Sequence, residues 1–207
     1  MRAFTLGSLL LGCVLVLGGG APAGAQEGEG KEGEGKASAI FAGGCFWCME
    51  PPFDAVPGVI ATISGYTGGR TQNPTYNEVS SGRTGHKEAV KVVYDPARVT
   101  YEQLLAIFWR NIDPHDARGQ FCDKGDQYTS AIFVATPEQR QAAEASLKAV
   151  SARLKQRVVT EILPAATFYP AEDYHQNYYR KNPAKYKYYR FACGRDRRLE
   201  EVWGPAS

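Results

Sequence analysis

The feature that most constrains this chain is a break after a short apolar run. Residues 39–42 lead into Gly43-Gly44, then Cys45-Phe46-Trp47-Cys48-Met49-Glu50, then Pro51-Pro52. The apolar run fits a buried strand, and the two glycines end it before a helix that starts near Cys45. A thiol placed there meets the positive end of a helix, which favours its ionised form, while glycines let the backbone turn sharply. Proline is tolerated in a first helical turn but disrupts an interior, so the helix is expected to be very short, to kink, or to restart at Pro51. Cys48, one turn further on, loses most of the helix-end field. Cys45 is therefore the better nucleophile and Cys48 a possible redox partner, although Cys-x-x-Cys spacing serves thioredoxin-like pairs and zinc sites alike.

With 207 residues, one medium domain is the expectation. The near balance of 24 basic and 22 acidic residues gives no electrostatic reason to propose nucleic acid. Arg2, an apolar run over 4–17, three glycines and Ala23-Gly24-Ala25 read as a secretory signal spanning 1–25. The run is too short to span a bilayer comfortably, so no stable membrane span is expected. Leu10-Leu11-Gly12-Cys13 only faintly resembles a lipid-attachment site at Cys13. Residues 26–37, a Gly-Glu-Lys tract, form a flexible linker, and 38–207 form the folded domain. The chain is thus expected to be exported, periplasmic or secreted. Four cysteines, Cys45, Cys48, Cys122 and Cys193, then enter an oxidising compartment.

Patterning predicts strands at 59–66, 88–94, 129–135 and 158–163, with a surface excursion at Gly68-Gly69 and Asn73-Pro74. Thr100 with Gln103 is a capping box opening one helix, and Thr136-Pro137 caps another that runs to about Leu154. A last short helix fits 171–180. The order strand, helix, strand, strand, helix, strand predicts an α/β (α+β) two-layer sandwich with a ferredoxin-like split βαβ core. After Asn182-Pro183 the chain is rich in Tyr, Lys and Arg without clear periodicity, so 183–207 is read as an irregular tail wrapped over the domain.

Flanking a reactive thiol, Phe46 and Trp47 could wall a pocket for a small group such as a methyl. Glu88 beside such a pocket would have a raised pKa and could give a proton to a leaving oxygen. His86, His115 and His175 lack zincin spacing, and Cys45-x-x-Cys48 with His86 has no second ligand pair, so no metal is expected. The basic, tyrosine-rich tail is expected to pack its rings on the domain rather than bind RNA.

Several segments together resemble one family closely. They are Gly-Cys-Phe-Trp-Cys at 44–48, Gly-Tyr-Thr-Gly-Gly at 65–69, Asn-Pro-Thr-Tyr-Asn-Glu-Val at 73–79 and Ser-Gly-Arg-Thr-Gly-His-Lys-Glu-Ala-Val at 81–90. Tyr-Asp-Pro at 94–96, Gly-Asp-Gln-Tyr-Thr-Ser at 125–130 and Ala-Glu-Asp-Tyr-His-Gln at 171–176 extend the likeness. The chain resembles the peptide methionine sulfoxide reductases that act on the S epimer (MsrA). The resemblance implies an enzyme that reduces protein-bound and free methionine S-sulfoxide. On it, Cys45 is the nucleophile, Glu88 the acid, Tyr76 and Tyr128 phenols that donate to the sulfoxide oxygen, and Asp123 a carboxylate that organises the site. Phe46 and Trp47 hold the methyl group.

The attack leaves Cys45 as a sulfenic acid that condenses with a second thiol. Cys193 is the favoured resolving cysteine, because the family commonly uses tail cysteines; Cys48 and Cys122 are the alternatives. Electrons come from a thioredoxin-like reductant, with no bound cofactor, and the chain is expected to be a monomer. The rival readings are a general Cys-x-x-Cys disulfide oxidoreductase and a secreted, zinc-stabilised binding module.

Overall fold

The computed structural model describes Met1 and residues 35–205. The expected signal, Cys13 and most of the linker lie outside the described residues. The elements that build the sheet are β1 (Ala37–Ala42), β2 (Val59–Thr67), β3 (Lys87–Tyr94), β6 (Ala131–Val134), β7 (Glu161–Pro164) and β8 (Tyr169–Pro170). A separate hairpin pairs β4 (Gly119–Gln120) with β5 (Asp123–Lys124). The helices are α1 (Phe46–Asp54), α2 (Tyr76–Ser80), α3 (Tyr101–Arg110), α4 (Pro137–Leu154), α5 (Tyr178–Lys181), α6 (Pro183–Ala192) and α7 (Arg195–Trp203).

The sheet is six-stranded and mixed, in the order β7-β6-β1-β3-β2-β8. β3 runs antiparallel to both β1 and β2, so the two strands joined by α1 are parallel to each other and separated by a third. Only β6 and β7 pair in parallel among the described strands. Alternation along β1 sorts its side chains to two faces. Ala39 and Phe41 join the main core with α1 and α3, while Ile40 and Ala42 join a smaller cluster with Ala89, Phe133, Leu163 and Phe168. At the centre of the main core Phe41 is fully buried, its ring 5.2 Å from both Phe53 and Phe108.

Local chemistry explains most element ends. Thr75 with Glu78 and Thr100 with Gln103 form complete capping boxes at the starts of α2 and α3. Thr136 caps α4 with Pro137 in its first turn. α1 runs through Pro51 and Pro52 as one nine-residue helix, neither stopping nor restarting. It is short enough that few backbone bonds are forfeited, and its buried face, Phe46, Met49 and Phe53, offsets them.

Two expectations are corrected. Residues 171–180 are mostly turns, with helix only from Tyr178, because Ala171 and Gln176 bond to Ser64 on β2 and hold the segment against the sheet edge. The tail is ordered helix, not irregular chain, as α6 and α7 show. Trp203 anchors its end, buried and donating to the Ile112 carbonyl at 2.8 Å, while Arg110 and Arg153 bond the Trp203 carbonyl.

Phe41→Ala should cost about 3–5 kcal/mol of unfolding free energy, the usual range for a fully buried aromatic truncation. Urea denaturation followed by circular dichroism measures it, and a loss below about 1.5 kcal/mol would contradict the central placement of this ring.

Candidate active site

The site forms where β1 hands over to α1. Gly44 takes φ +80°, and a Cβ there would sit 2.5 Å from Gln120 Cβ, so both conformation and space require glycine. Gln120 in turn bonds the Asp113 backbone through both its amide atoms, which fixes the β4–β5 hairpin against this turn. Cys45 follows as the N-cap of α1. Its neighbour Phe46 donates its backbone N–H to Glu88 Oε2 at 3.1 Å, joining the helix start to the central strand.

A cavity of about 60 Å³ lies over Cys45, with space for one small group rather than a whole side chain. All seven residues expected at the reacting centre line it: Cys45, Phe46, Trp47, Tyr76, Glu88, Asp123 and Tyr128. The eighth wall is Tyr189 of α6, which no sequence pattern marks. Its hydroxyl donates to Asp123 Oδ2 at 2.5 Å and also contacts the Cys45 thiol.

Burial sets the protonation states. Glu88 is pushed up to about 8 by burial, helped by the charge of Asp123, against the opposing bond from Phe46. Its carboxyl is therefore protonated at neutral pH. Tyr76 is raised to about 12 by burial and the nearby Glu88, and Tyr128 is raised further for the same reasons, so both stay hydroxyl donors. Burial also raises Asp123.

The two thiols interact directly, which raises Cys45 and lowers Cys48. Burial, the Cys48 bond and charge, and the neighbouring carboxyls hold Cys45 well above an ordinary thiol. The Cys45 bond, with Arg195 and Arg190 nearby, lowers Cys48 to about 6 against the cost of its burial. The helix-end field alone would place the thiolate on Cys45. Burial opposes that field at Cys45, while the bond from Cys45, with Arg195 and Arg190, favours the charge at Cys48.

Trp47 is held from three sides. Its ring stacks on Tyr178 at 3.7 Å, lies edge-on to Tyr189, and donates Nε1–H to His175 Nδ1 at 3.0 Å. His175 is buried and its pKa lowered by burial, so it is neutral and carries its proton on Nε2. Glu172 ties Tyr66 and the Tyr76 backbone together, which sets α2 beside the cavity.

The remaining cysteines fall elsewhere. Cys193 is joined to Cys122 in a disulfide, with Cα atoms 4.9 Å apart, while Cys45 and Cys48 are free. The expected placement of Cys193 as a free thiol on a flexible tail is thus corrected: it caps an ordered α6 facing the hairpin. Asp123 joins these two sulfurs in the one cluster of metal-ligand atoms among the described residues, but the sulfurs are bonded to each other. His86 does not approach the Cys-x-x-Cys pair; its ring bonds the Gly69 N–H and the Thr71 carbonyl.

Residues 37–207 match the family model described as peptide methionine sulfoxide reductase. The chain belongs to that family. It is 54% identical over 172 residues to the peptide methionine sulfoxide reductase MsrA of Listeria innocua, across 82% of this chain and 97% of that protein. A solved methionine sulfoxide reductase A of Corynebacterium diphtheriae superposes with a TM-score of 0.66 at 40% identity, over 72% of this chain and 76% of that one. Mxr1 of Saccharomyces cerevisiae, solved in complex with Trx2, matches with a TM-score of 0.50 at 20% identity over 69% of this chain and 84% of that one, a likeness of fold.

For a peptide methionine sulfoxide reductase the reaction is reduction of methionine sulfoxide to methionine. The sulfoxide needs a sulfur nucleophile and a proton on its oxygen, and the cavity supplies both. Sequence reasoning misses Tyr178, Tyr189 and Arg195 because they lie in or beside the tail, where no pattern stands out. His175 lies inside a matched segment and was legible as a site residue, yet its sequence context suggests only an ordinary hydrogen-bonding histidine.

The buried carboxyls make stability fall with pH. Glu88 near 8 and Glu50 near 7 stay protonated in the fold, whereas an unfolded glutamate ionises near about 4.3. Their contribution is full below that value and is lost as pH rises through 7 to 8. Between pH 5 and 8 the melting temperature of the Glu50→Gln/Glu88→Gln chain should therefore decline less than that of the unaltered chain. A steeper decline in the double variant would contradict the buried, neutral carboxyls.

Proposed function

We propose that the chain is an exported repair enzyme that reduces the S epimer of methionine sulfoxide, protein-bound and free, through Cys45. The observation that carries the reading is the convergence of the Cys45 thiol, a protonated Glu88 and two phenols on one methyl-sized cavity. The methyl group would lie against Phe46 and Trp47, and Tyr76, Tyr128 and Glu88 would hold the oxygen. As the Cys45 sulfur attacks the sulfoxide sulfur, its proton passes to the Cys48 thiolate, and the Glu88 proton moves to the oxygen. Methionine leaves, and Cys45 remains as a sulfenic acid.

Cys48 is the resolving cysteine in this reading. It already bonds Cys45, whereas Cys193 is engaged with Cys122. Its sulfur attacks Cys45, the S–O bond breaks, and the oxygen leaves as water with the Cys48 proton. Glu88 recovers its proton from solvent. The resulting disulfide would be buried, while Cys122 is exposed, so a thioredoxin-like reductant would meet Cys122–Cys193 first and pass electrons inward by exchange. Cys193 as direct resolver after reduction of that disulfide is the second reading, favoured by the place of Cys122 beside Asp123. The domain comprises 38–207, acts as a monomer and needs no bound cofactor. Export rests on the pattern of residues 1–25; no described helix is long and apolar enough to cross a membrane.

A single turnover tests this reading: reduced protein with excess methionine S-sulfoxide and no reductant, quenched, with disulfides mapped by mass spectrometry. We expect one methionine per chain and a Cys45–Cys48 link, and none of either from Cys45→Ser. A Cys45–Cys193 link would overturn the resolver, and turnover by Cys45→Ser would overturn the whole.

The pH profile of methionine release should be bell-shaped, rising through about 6 as Cys48 ionises and falling through about 8 as Glu88 loses its proton. Glu88→Gln should lower the rate at pH 7 by about a hundredfold or more and abolish the alkaline limb. An alkaline limb that survives in Glu88→Gln would assign it to another group.

A further inference from the structure

Arg195 is the largest fully buried side chain among the described residues, and the reaction as described assigns it no step. It opens α7 immediately after Gly194. Its Nη2 donates to the Asn111 carbonyl at 2.6 Å, to the Gly43 carbonyl at 3.3 Å and to Met49 Sδ at 3.2 Å, and the guanidinium lies 4.3 Å from the Phe121 ring. Gly43 and Met49 bracket the Cys45–Cys48 pair in sequence, and the cation acts electrostatically on Cys48. Nε is buried without a partner, and among the described residues no carboxylate forms an ion pair with Arg195. A buried guanidinium met only by neutral acceptors is costly, and the fold tolerates it best where an anion lies close.

We propose that Arg195 is a positioning residue for the thiol pair: its guanidinium, held by the Gly43 and Asn111 carbonyls and the Met49 sulfur, stabilises a thiolate at Cys48, which then accepts the Cys45 proton and closes the disulfide. This rests on the reading that Cys48 is the resolving cysteine. The groups that face Cys48 sort by sign. Cys45 on α1 donates to it; Glu88 on β3 is protonated at neutral pH; Asp123 on β5 opposes the charge; Tyr186 on α6 is neutral; Arg190 on α6 favours the charge but is already paired with Asp196. Arg195 is the one cation in the set with no carboxylate of its own. Its place two residues after Cys193 also means that the Cys122–Cys193 disulfide fastens the segment that carries it.

The charge can be read directly from the Cβ resonance of isotopically labelled cysteine, titrated by NMR in the full chain carrying Cys45→Ser, where serine keeps a hydroxyl donor to Cys48. The Cys48 signal is assigned by its loss in Cys48→Ser. We expect a midpoint below the ordinary thiol value of about 8.5, moved up by about one unit or more in Arg195→Met and restored to within about half a unit in Arg195→Lys. A midpoint that does not move on Arg195→Met overturns the proposal. Should Arg195→Met fail to fold, the chain that keeps Arg195 decides alone: a midpoint at or above about 8.5 overturns it and a lower one supports it.

Single-turnover closure of the disulfide separates the two readings. Arg195→Met in the otherwise unaltered chain should slow closure at pH 7 about tenfold, and Arg195→Lys should recover most of the rate. If Cys48→Ser still closes a Cys45 disulfide at full rate, the resolver reading fails and this proposal with it. If Cys48→Ser blocks closure while Arg195→Met leaves both midpoint and rate unmoved, only the role of Arg195 fails.

Discussion

The hydrogen bond from the Phe46 backbone to Glu88 is the contact on which the site depends. It joins the first turn of α1 to the central strand β3 and so fixes where Cys45 stands relative to its acid. The bond leaves the other carboxyl oxygen to carry the proton that burial retains. Around it the fit is close: Gly44 makes room for Gln120, Gln120 braces the hairpin, and the hairpin presents Asp123. One bond thus ties together a strand, a helix start and, through its neighbours, a loop that carries the opposite wall.

The opposite side of the cavity is built by the C-terminal helices. Tyr178 backs Trp47, Tyr189 reaches Asp123 and Cys45, and Arg195 donates to the Gly43 carbonyl and the Met49 sulfur, which flank the thiol pair in sequence. Few apolar side chains of this segment are buried, chiefly Trp203 with Leu199 and Val202 against the core, so hydrophobic area alone does not hold it in place. Trp203, the bonds to its carbonyl and the Cys122–Cys193 disulfide do. A wall fastened at a few points and made mostly of rings can supply polar contacts to the site without an additional core.

These two halves of the site are unequally legible in the sequence. α3 and α4 announce themselves through Thr100 and Thr136, because side-chain capping is local chemistry and survives any tertiary context. The capping box of Thr75 and Glu78 is equally readable, yet α2 lies inside a stretch marked by glycine and proline as loop. The tail gives no signal because its helices bury one arginine and one tryptophan rather than a stripe of aliphatics, so no 3.6-residue apolar period exists to be read. The likeness in the motifs locates Cys45, Glu88, Tyr76, Tyr128 and Asp123, but it cannot say which of two thiols holds the charge. That is set by packing, by burial of both sulfurs and by groups far off in sequence such as Arg195, about 150 residues away in the chain.

The division of charge has a chemical rationale. A thiolate beside an ionised carboxylate in so dry a site would be doubly penalised, since each anion raises the cost of the other. In the proposed step, keeping Glu88 protonated and the thiolate at Cys48 adds only one anion to the charge of Asp123, on the side of the thiol pair where Arg195 lies. In the proposed mechanism the sulfoxide oxygen takes the Glu88 proton and Cys48 that of Cys45, so the number of negative charges does not change; the charge moves from the thiol pair to the carboxylate. The transition state therefore requires little new solvation, which a closed cavity of this size could not provide.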